Sequence, residues 1–385
     1  ACHAPAVRAG ALAAVRLNRP AAVRQHLRYI IERAEKPELR QDAFFLLGES
    51  EYRQGEYARA AENFGSAAAE TGPIAERARF WQLQSLVKAG ADRQAADTAK
   101  ALLNAKTPEL RVAANYFLAL LLDRAGKPVE ARAAYRAFAN AYPGTEFTPA
   151  ALFAAARLAS EARDYPESCR LFRQFADQYP AHELAANALW RAAQAAFLIP
   201  DDEAMHAAAE TLTAHYPASP YTVAVLFRQA DYLRTEARYP AALKVLEDIA
   251  ALAEKNSNGE VAARCLYDQA EIYARLDNSS KALALLAELQ TKFVNSPVAA
   301  DAALLAGNLQ SNLADYAAAT NSYRRAAELH PGGVFGAVAL ERLADSEFSE
   351  GVRTRNPENL KRAEDIYRQL VEKNEGATVY SAGFK

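Results

Sequence analysis

The chain has 385 residues, 24% of them charged and nearly balanced at a formal net charge of −2, with 16 glycines, 17 prolines and three cysteines. Lys and Arg form no dense block, which argues against phosphate-driven binding of nucleic acid, and no run approaches the ~18 apolar residues that a membrane-spanning helix needs. Cys2, Cys169 and Cys265 lie far apart, are odd in number and show no CxxC spacing, so neither a disulfide framework nor a zinc site is indicated.

Taken from the start, the chain has no initiator Met, which predicts a processed protein or an excised piece. A mature lipoprotein would begin at its cysteine, whereas Ala1 precedes Cys2, so anchoring through Cys2 is not expected. Abundant Ala, sparse Gly and Pro, and only short strand-favouring runs predict an all-α chain. Cys169 and Cys265 then fall at helix positions that suit a small buried residue.

The stretch GEYARAAENF, Gly55 to Phe64, returns as ADYAAATNSY, Ala314 to Tyr323, with Tyr57, Ala60 and Phe64 matched by Tyr316, Ala319 and Tyr323. Equivalents of Ala60 recur at Ala22, Ala96, Ala131, Ser168, Met205, Ala242, Ala282, Ala319 and Ala363, mostly 35 to 40 residues apart. One continuous array of about ten repeats follows, over residues 3–38, 39–75, 76–111, 112–147, 148–184, 185–221, 222–261, 262–299, 300–335 and 336–376. Each repeat reads as two antiparallel helices. Small residues such as Gly48 and Ala60 sit where the helices cross, Leu47 and Phe64 fill the space beside the crossing, and a recurring proline (Pro108, Pro143, Pro180, Pro217, Pro331) ends the second helix. A lone pair cannot bury its apolar stripes, so the pairs stack into a superhelix with a concave face.

Three places depart from the pattern. Met205 puts a large flexible residue at the crossing, beside an IPDD turn, so its helices are expected to splay or shift. The stretch EGVRTRNPEN is expected to lengthen the turn inside the repeat spanning 336–376. The final ATVYSAGFK, residues 377–385, reads as the start of a further first helix whose Val379, Tyr380 and Phe384 meet the helix of Ile366 and Leu370, so the native chain is expected to continue.

Phe44, Leu47, Gly48, Ala60, Phe64 and Ala67 follow the W-x2-L-G-x2-Y, Ala, Phe, Pro order of the tetratricopeptide repeat, and the chain resembles that family along its whole length. The resemblance implies a right-handed α-solenoid superhelix of stacked helix-turn-helix repeats. The spacing exceeds the usual ~34 residues, and the junctions AYPGTEFTPAAL, HYPASPYTVAVL and FVNSPVAADAAL are similar to those of bacterial cell-envelope proteins of this family, the barrel-assembly lipoprotein and the Tol-Pal-associated cell-division coordinator. That similarity implies a periplasmic or envelope-associated setting, with a cytoplasmic one as the alternative.

Two residues before the Leu47 slot, an aromatic recurs in seven successive repeats: Phe45, Trp81, Tyr116, Phe153, Trp190, Phe227 and Tyr267, followed by Leu304 and Glu341. In the family this column faces the concave groove. The flanking positions four and seven residues on are mostly polar and of mixed sign, among them Glu49, Arg157, Gln194, Asp231 and Arg234. Amphipathic anchors among hydrogen-bonding groups suit a peptide groove, while the same rings also suit packing between helices. Phe45 and Glu49 stand where some relatives carry the Lys and Asn that grip a terminal carboxylate, so that chaperone-tail function is not expected.

Catalytic patterns are missing. The six histidines are scattered with no i, i+4 pair, HPGGVFG (His330 to Gly336) follows a helix and reads as a turn, not a phosphate loop, and there is no GxSxG elbow. No cofactor or metal is expected. The sequence therefore predicts a non-catalytic scaffold that holds a protein or peptide partner. The alternatives are a cytosolic scaffold or the repeat portion of a larger enzyme or sensor.

Overall fold

The computed structural model describes residues 20–70, 74–199 and 201–372. Cys2, the side chain of Ala22, the first helix expected in the repeat at 3–38 and the further helix expected at 377–385 lie outside these residues. The chain divides into two compact units, Ala1–Ala208 and Ala209–Lys385, the division falling inside one helix.

Nineteen α-helices and no strand occur among the described residues. The first unit holds α1 (Pro20–Arg33), α2 (Pro37–Arg53), α3 (Tyr57–Ala69), α4 (Ala75–Ala89), α5 (Asp92–Leu102), α6 (Pro108–Arg124), α7 (Pro128–Ala141), α8 (Thr148–Glu161), α9 (Tyr165–Gln178), α10 (Ala185–Leu198) and the start of α11 (Asp202–His215). The second holds the rest of α11, then α12 (Pro220–Thr235), α13 (Tyr239–Lys255), α14 (Gly259–Arg275), α15 (Ser279–Lys292), α16 (Ala299–Asn312), α17 (Tyr316–Leu329), α18 (Gly333–Thr354) and α19 (Pro357–Glu372). Helices adjacent in sequence pack together from α1 to α10 and from α12 to α19, and the first helices α2, α4 and α6, like α14 and α16, also touch directly. This is an all-α solenoid of helix pairs.

The crossing residues behave as their size requires. Ala60, Ala131, Ala242, Ala282 and Ala319 are all at 0% exposure. A Cβ added to Gly48 would lie 2.9 Å from the Phe64 ring, and one added to Gly307 would lie 2.6 Å from the Tyr323 ring, so the aromatic of the second helix occupies the space a side chain would take. In α5 the buried alanines are Ala95 and Ala99, so the phase there is one residue earlier than the Ala96 expected from sequence. Met205 is itself buried, at 4% exposure, together with Ala204 and Ala208.

The turns inside the pairs share one construction. The residue after the αL position donates its N–H to the carbonyl five residues back, as in Glu56 to Glu51 (3.0 Å), Asp164 to Ala159 (2.9 Å), Asn278 to Tyr273 (2.9 Å) and Asp315 to Gln310 (2.9 Å). Such a closure needs a left-handed residue. Gly55, Gly90 and Gly126 supply it in the first three turns, whereas Arg163, Ala237, Asp277 and Ala314 hold positive φ with a side chain attached. Asp164, Asn278 and Asp315 then cap the second helix through their side chains. Two of the turns between pairs use another device: Thr148 and Thr222 are buried and donate their hydroxyls to the carbonyls of Tyr142 and Tyr216, both at 2.6 Å, whereas the turn from α13 to α14 repeats the left-handed closure, with Ser257 at positive φ and the Asn258 N–H donating to the Ala253 carbonyl at 2.8 Å.

The stretch EGVRTRNPEN lengthens a helix, not a turn: α18 runs for 22 residues and only Arg355 and Asn356 separate it from α19. The Arg353 side chain pairs with Glu350 at 2.7 Å and the Thr354 hydroxyl donates to the Glu350 carbonyl, while Gly351 lets α19 approach, since a Cβ there would lie 2.8 Å from Leu360. HPGGVFG bends at its start and enters α18 at Gly333, so its second half is helix.

Candidate partner-binding face

The column residues sit on first helices; Phe45, Tyr116 and Phe153 meet the second helix of their own pair, whereas Trp81 packs on the pair before it. In the first unit Phe45 is buried, edge-on to Phe64 at 5.3 Å, with the Arg77 guanidinium of α4 over its ring at 5.2 Å. Half-buried Trp81 stacks on Phe64 (5.9 Å) and meets Tyr52 edge-on (5.3 Å). Tyr116 is half-buried against Phe147, stacked at 4.9 Å, and burial pushes its hydroxyl pKa up. Phe153 lies edge-on to Phe172 and Phe175, at 5.3 and 5.4 Å, and Arg191 of α10 reaches its ring beside half-buried Trp190.

In the second unit Phe227 is buried beneath Arg264 of α14, whose guanidinium lies 4.2 Å from the ring centre. Tyr267 is half-buried, and its hydroxyl donates to Glu271 at 3.4 Å. Each Phe of the column thus lies under an arginine of the following first helix. Arg77 stands four residues before its own column position, Arg191 one residue after and Arg264 three before, so no fixed period marks them in the sequence.

The polar flanks are paired between consecutive first helices. Asp123 of α6 meets Arg157 of α8, which also holds Glu161 at 2.6 Å. Arg234 of α12 bridges Glu271 of α14 at 2.6 Å and Asp231 of its own helix at 3.0 Å. In both junctions the residue seven past one column position pairs with the residue four past the next. The polarity is reversed: acid then base in the first, base then acid in the second. Glu49 and Gln194 occupy the same flank on α2 and α10, half-buried.

Beside the second junction lies Asp268, 3.6 Å from Arg264 and only 15% exposed at its side chain. Burial, with the neighbouring Asp231 and Glu271, pushes its pKa up to about 6 against the pull of Arg264 and Arg234. Cys169 and Cys265 are both buried, and burial raises both thiols, Cys265 to about 12. Among the described residues no group of three or more His, Cys, Asp or Glu side chains could hold a metal ion, and no helix is long and apolar enough to cross a membrane.

Four segments, residues 42–70, 113–145, 150–182 and 264–296, match the family model described as tetratricopeptide repeat. No curated protein matches the sequence. Among solved structures the chain is similar to a tetratricopeptide repeat protein from Parabacteroides merdae, at 15% identity and a TM-score of 0.36, over 70% of this chain and 98% of that one. It is similar to the apo form of RapI at 10% identity and a TM-score of 0.41, over 71% and 99% of the two chains. It is also similar to Naa15/Naa10 bound to HypK-THB at 14% identity and a TM-score of 0.37, over 97% and 58%. The chain carries tetratricopeptide repeats, which point to a protein-interaction scaffold.

Proposed function

We propose that the chain is a non-catalytic scaffold whose first helices present a face for a protein or peptide partner. One observation carries this reading: each unit holds half-buried aromatics on its first helices beside charged groups already fixed by pairs that run from one first helix to the next. A partner meeting such a face orders few side chains on binding, and that lowers the entropic cost of association. Trp81, Tyr116, Phe153 and Trp190 are the contact aromatics of the first unit and Tyr267 that of the second, while buried Phe45 and Phe227 support them from beneath.

The envelope setting rests on the junctions AYPGTEFTPAAL, HYPASPYTVAVL and FVNSPVAADAAL, and fractionation of cells that express the full-length protein tests it. The binding face is tested by Trp190→Ala, with a partner recovered on the intact chain. Affinity is expected to fall by about 2 kcal/mol or more with helical content unchanged. A loss of about 3–5 kcal/mol of unfolding free energy with unchanged affinity would instead make Trp190 a core residue.

A further inference from the structure

Resting on the reading above, we propose that the second unit's part of this face seats a lysine or arginine side chain of the partner, against Tyr267, Asp268 and Asp301. Four carboxylates lie within electrostatic reach of one another here: Asp231 on α12, Asp268 and Glu271 on α14, and Asp301 on α16. Two guanidiniums answer them, and both are already committed. Arg234 divides itself between Asp231 at 3.0 Å and Glu271 at 2.6 Å. Arg264 lies over the Phe227 ring, 4.2 Å from its centre, and from there comes no nearer to Asp268 than 3.6 Å, beyond hydrogen-bond reach. Among the described residues Asp268 accepts no hydrogen bond, although its side chain is only 15% exposed, and Asp301 forms no ion pair.

Holding Arg264 in place does not account for Asp268. Arg77 over Phe45 and Arg191 over Phe153 keep the same station with no ion pair among the described residues, and Arg191 donates to the Asn187 side chain at 2.9 Å instead. A largely buried carboxylate short of donors is costly until something supplies them.

A metal ion does not fit, since the carboxylates form no group of three or more that could hold one. An organic cation does. Its charged end donates to Asp268 and Asp301, while its aliphatic stem lies along the half-buried Tyr267 ring. A carboxylate-bearing partner segment would meet an excess of its own sign, so charge complementarity selects the basic one.

Calorimetric titration of the intact chain with capped peptides of one length, a central arginine between leucines being exchanged for norleucine, tests the assignment. The arginine peptide is expected to bind about tenfold or more tightly than the norleucine one. Asp268→Asn combined with Asp301→Asn should erase that preference and leave the affinity for the norleucine peptide unchanged. Asp365→Asn, which removes an exposed charge on α19, should leave the preference intact. Equal binding of the two peptides by the unaltered chain would overturn the cationic seat and leave the scaffold reading standing. A preference that survives in the Asp268 and Asp301 double variant, or that disappears in Asp365→Asn, would overturn the seat as well. Failure of both peptides to bind at millimolar concentration would do the same, and the scaffold reading would then rest on Trp190→Ala alone.

Discussion

The pair α2–α3 and the pair α16–α17 are two versions of one design with three differences. At the crossing both use glycine against an aromatic, yet Gly307 is tighter against Tyr323 than Gly48 is against Phe64 (2.6 against 2.9 Å for an added Cβ). At the position six past the column, Glu51 is buried and accepts a hydrogen bond from Asn63 at 2.7 Å, where Gln310 is hydrogen-bonded to the Ser322 hydroxyl at the same distance. In the turn Gly55 takes φ +78°, where Ala314 takes φ +57°. The lesson is that the repeat specifies size at the crossing and a polar link between the helices, while charge and turn strain are left to vary.

The largest expected effect comes from breaking what the two pairs share. Ala319→Leu should force α16 and α17 apart and cost about 1–3 kcal/mol of unfolding free energy. Because repeat stability is summed over neighbours, exchange should rise first near residues 300–330 and only later near residue 60. Thermal unfolding equal to that of the parent would show that Ala319 does not sit at the crossing.

The next effect sharpens the difference in charge. Burial raises the Glu51 pKa above its ordinary value against the hydrogen bond from Asn63 and the fields of Arg24, Arg59 and Arg28. The folded state then holds a proton that the unfolded state has released, so stability is lost as pH climbs through the folded pKa. Glu51→Gln should copy the neutral Gln310 link, remove that part of the pH dependence and stabilise by about 0.5–1 kcal/mol at pH 7. Denaturant midpoints between pH 4 and 8 test this, and parallel curves for the two proteins would refute it.

The smallest effect concerns the turn. Ala314→Gly should relieve the left-handed strain but add freedom to the unfolded chain, for a net gain of about 0.5 kcal/mol. Gly55→Ala should lose a similar amount through left-handed backbone strain alone, because an added Cβ would meet nothing else within 4 Å. Opposite signs for the two exchanges in urea unfolding are the expected result; equal signs would mean that the turns differ in more than this residue.

Much of this was legible because the crossing constrains residue size at a fixed spacing: Ala60, Ala131, Ala242, Ala282 and Ala319 announce themselves. The phase slipped in α5, where Ala95 and Ala96 are adjacent and no aromatic follows four residues on to mark the register. The extra residues after Ser349 extend a helix and not the turn expected from sequence, because the Glu350–Arg353 pair and the approach of Leu360 to Gly351 favour more helix. The aromatic column was visible as a pattern, but the depth of each ring was not. Phe45 and Phe227 are sealed by Arg77 and Arg264, contacts made across pairs by residues that obey no common spacing.

The reversed polarity of the two first-helix junctions has a bearing on assembly. A solenoid built of near-copies risks mispairing, since any first helix offers roughly the same apolar stripe to any neighbour. Were α6 to dock where α12 belongs, Asp123 would face Glu271; were α12 to dock in place of α6, Arg234 would face Arg157. Each wrong neighbour meets its own sign of charge, whereas each right one meets the opposite. Pairs held part-buried between first helices thus act as an address label that a growing chain reads when it chooses which helix to stack upon.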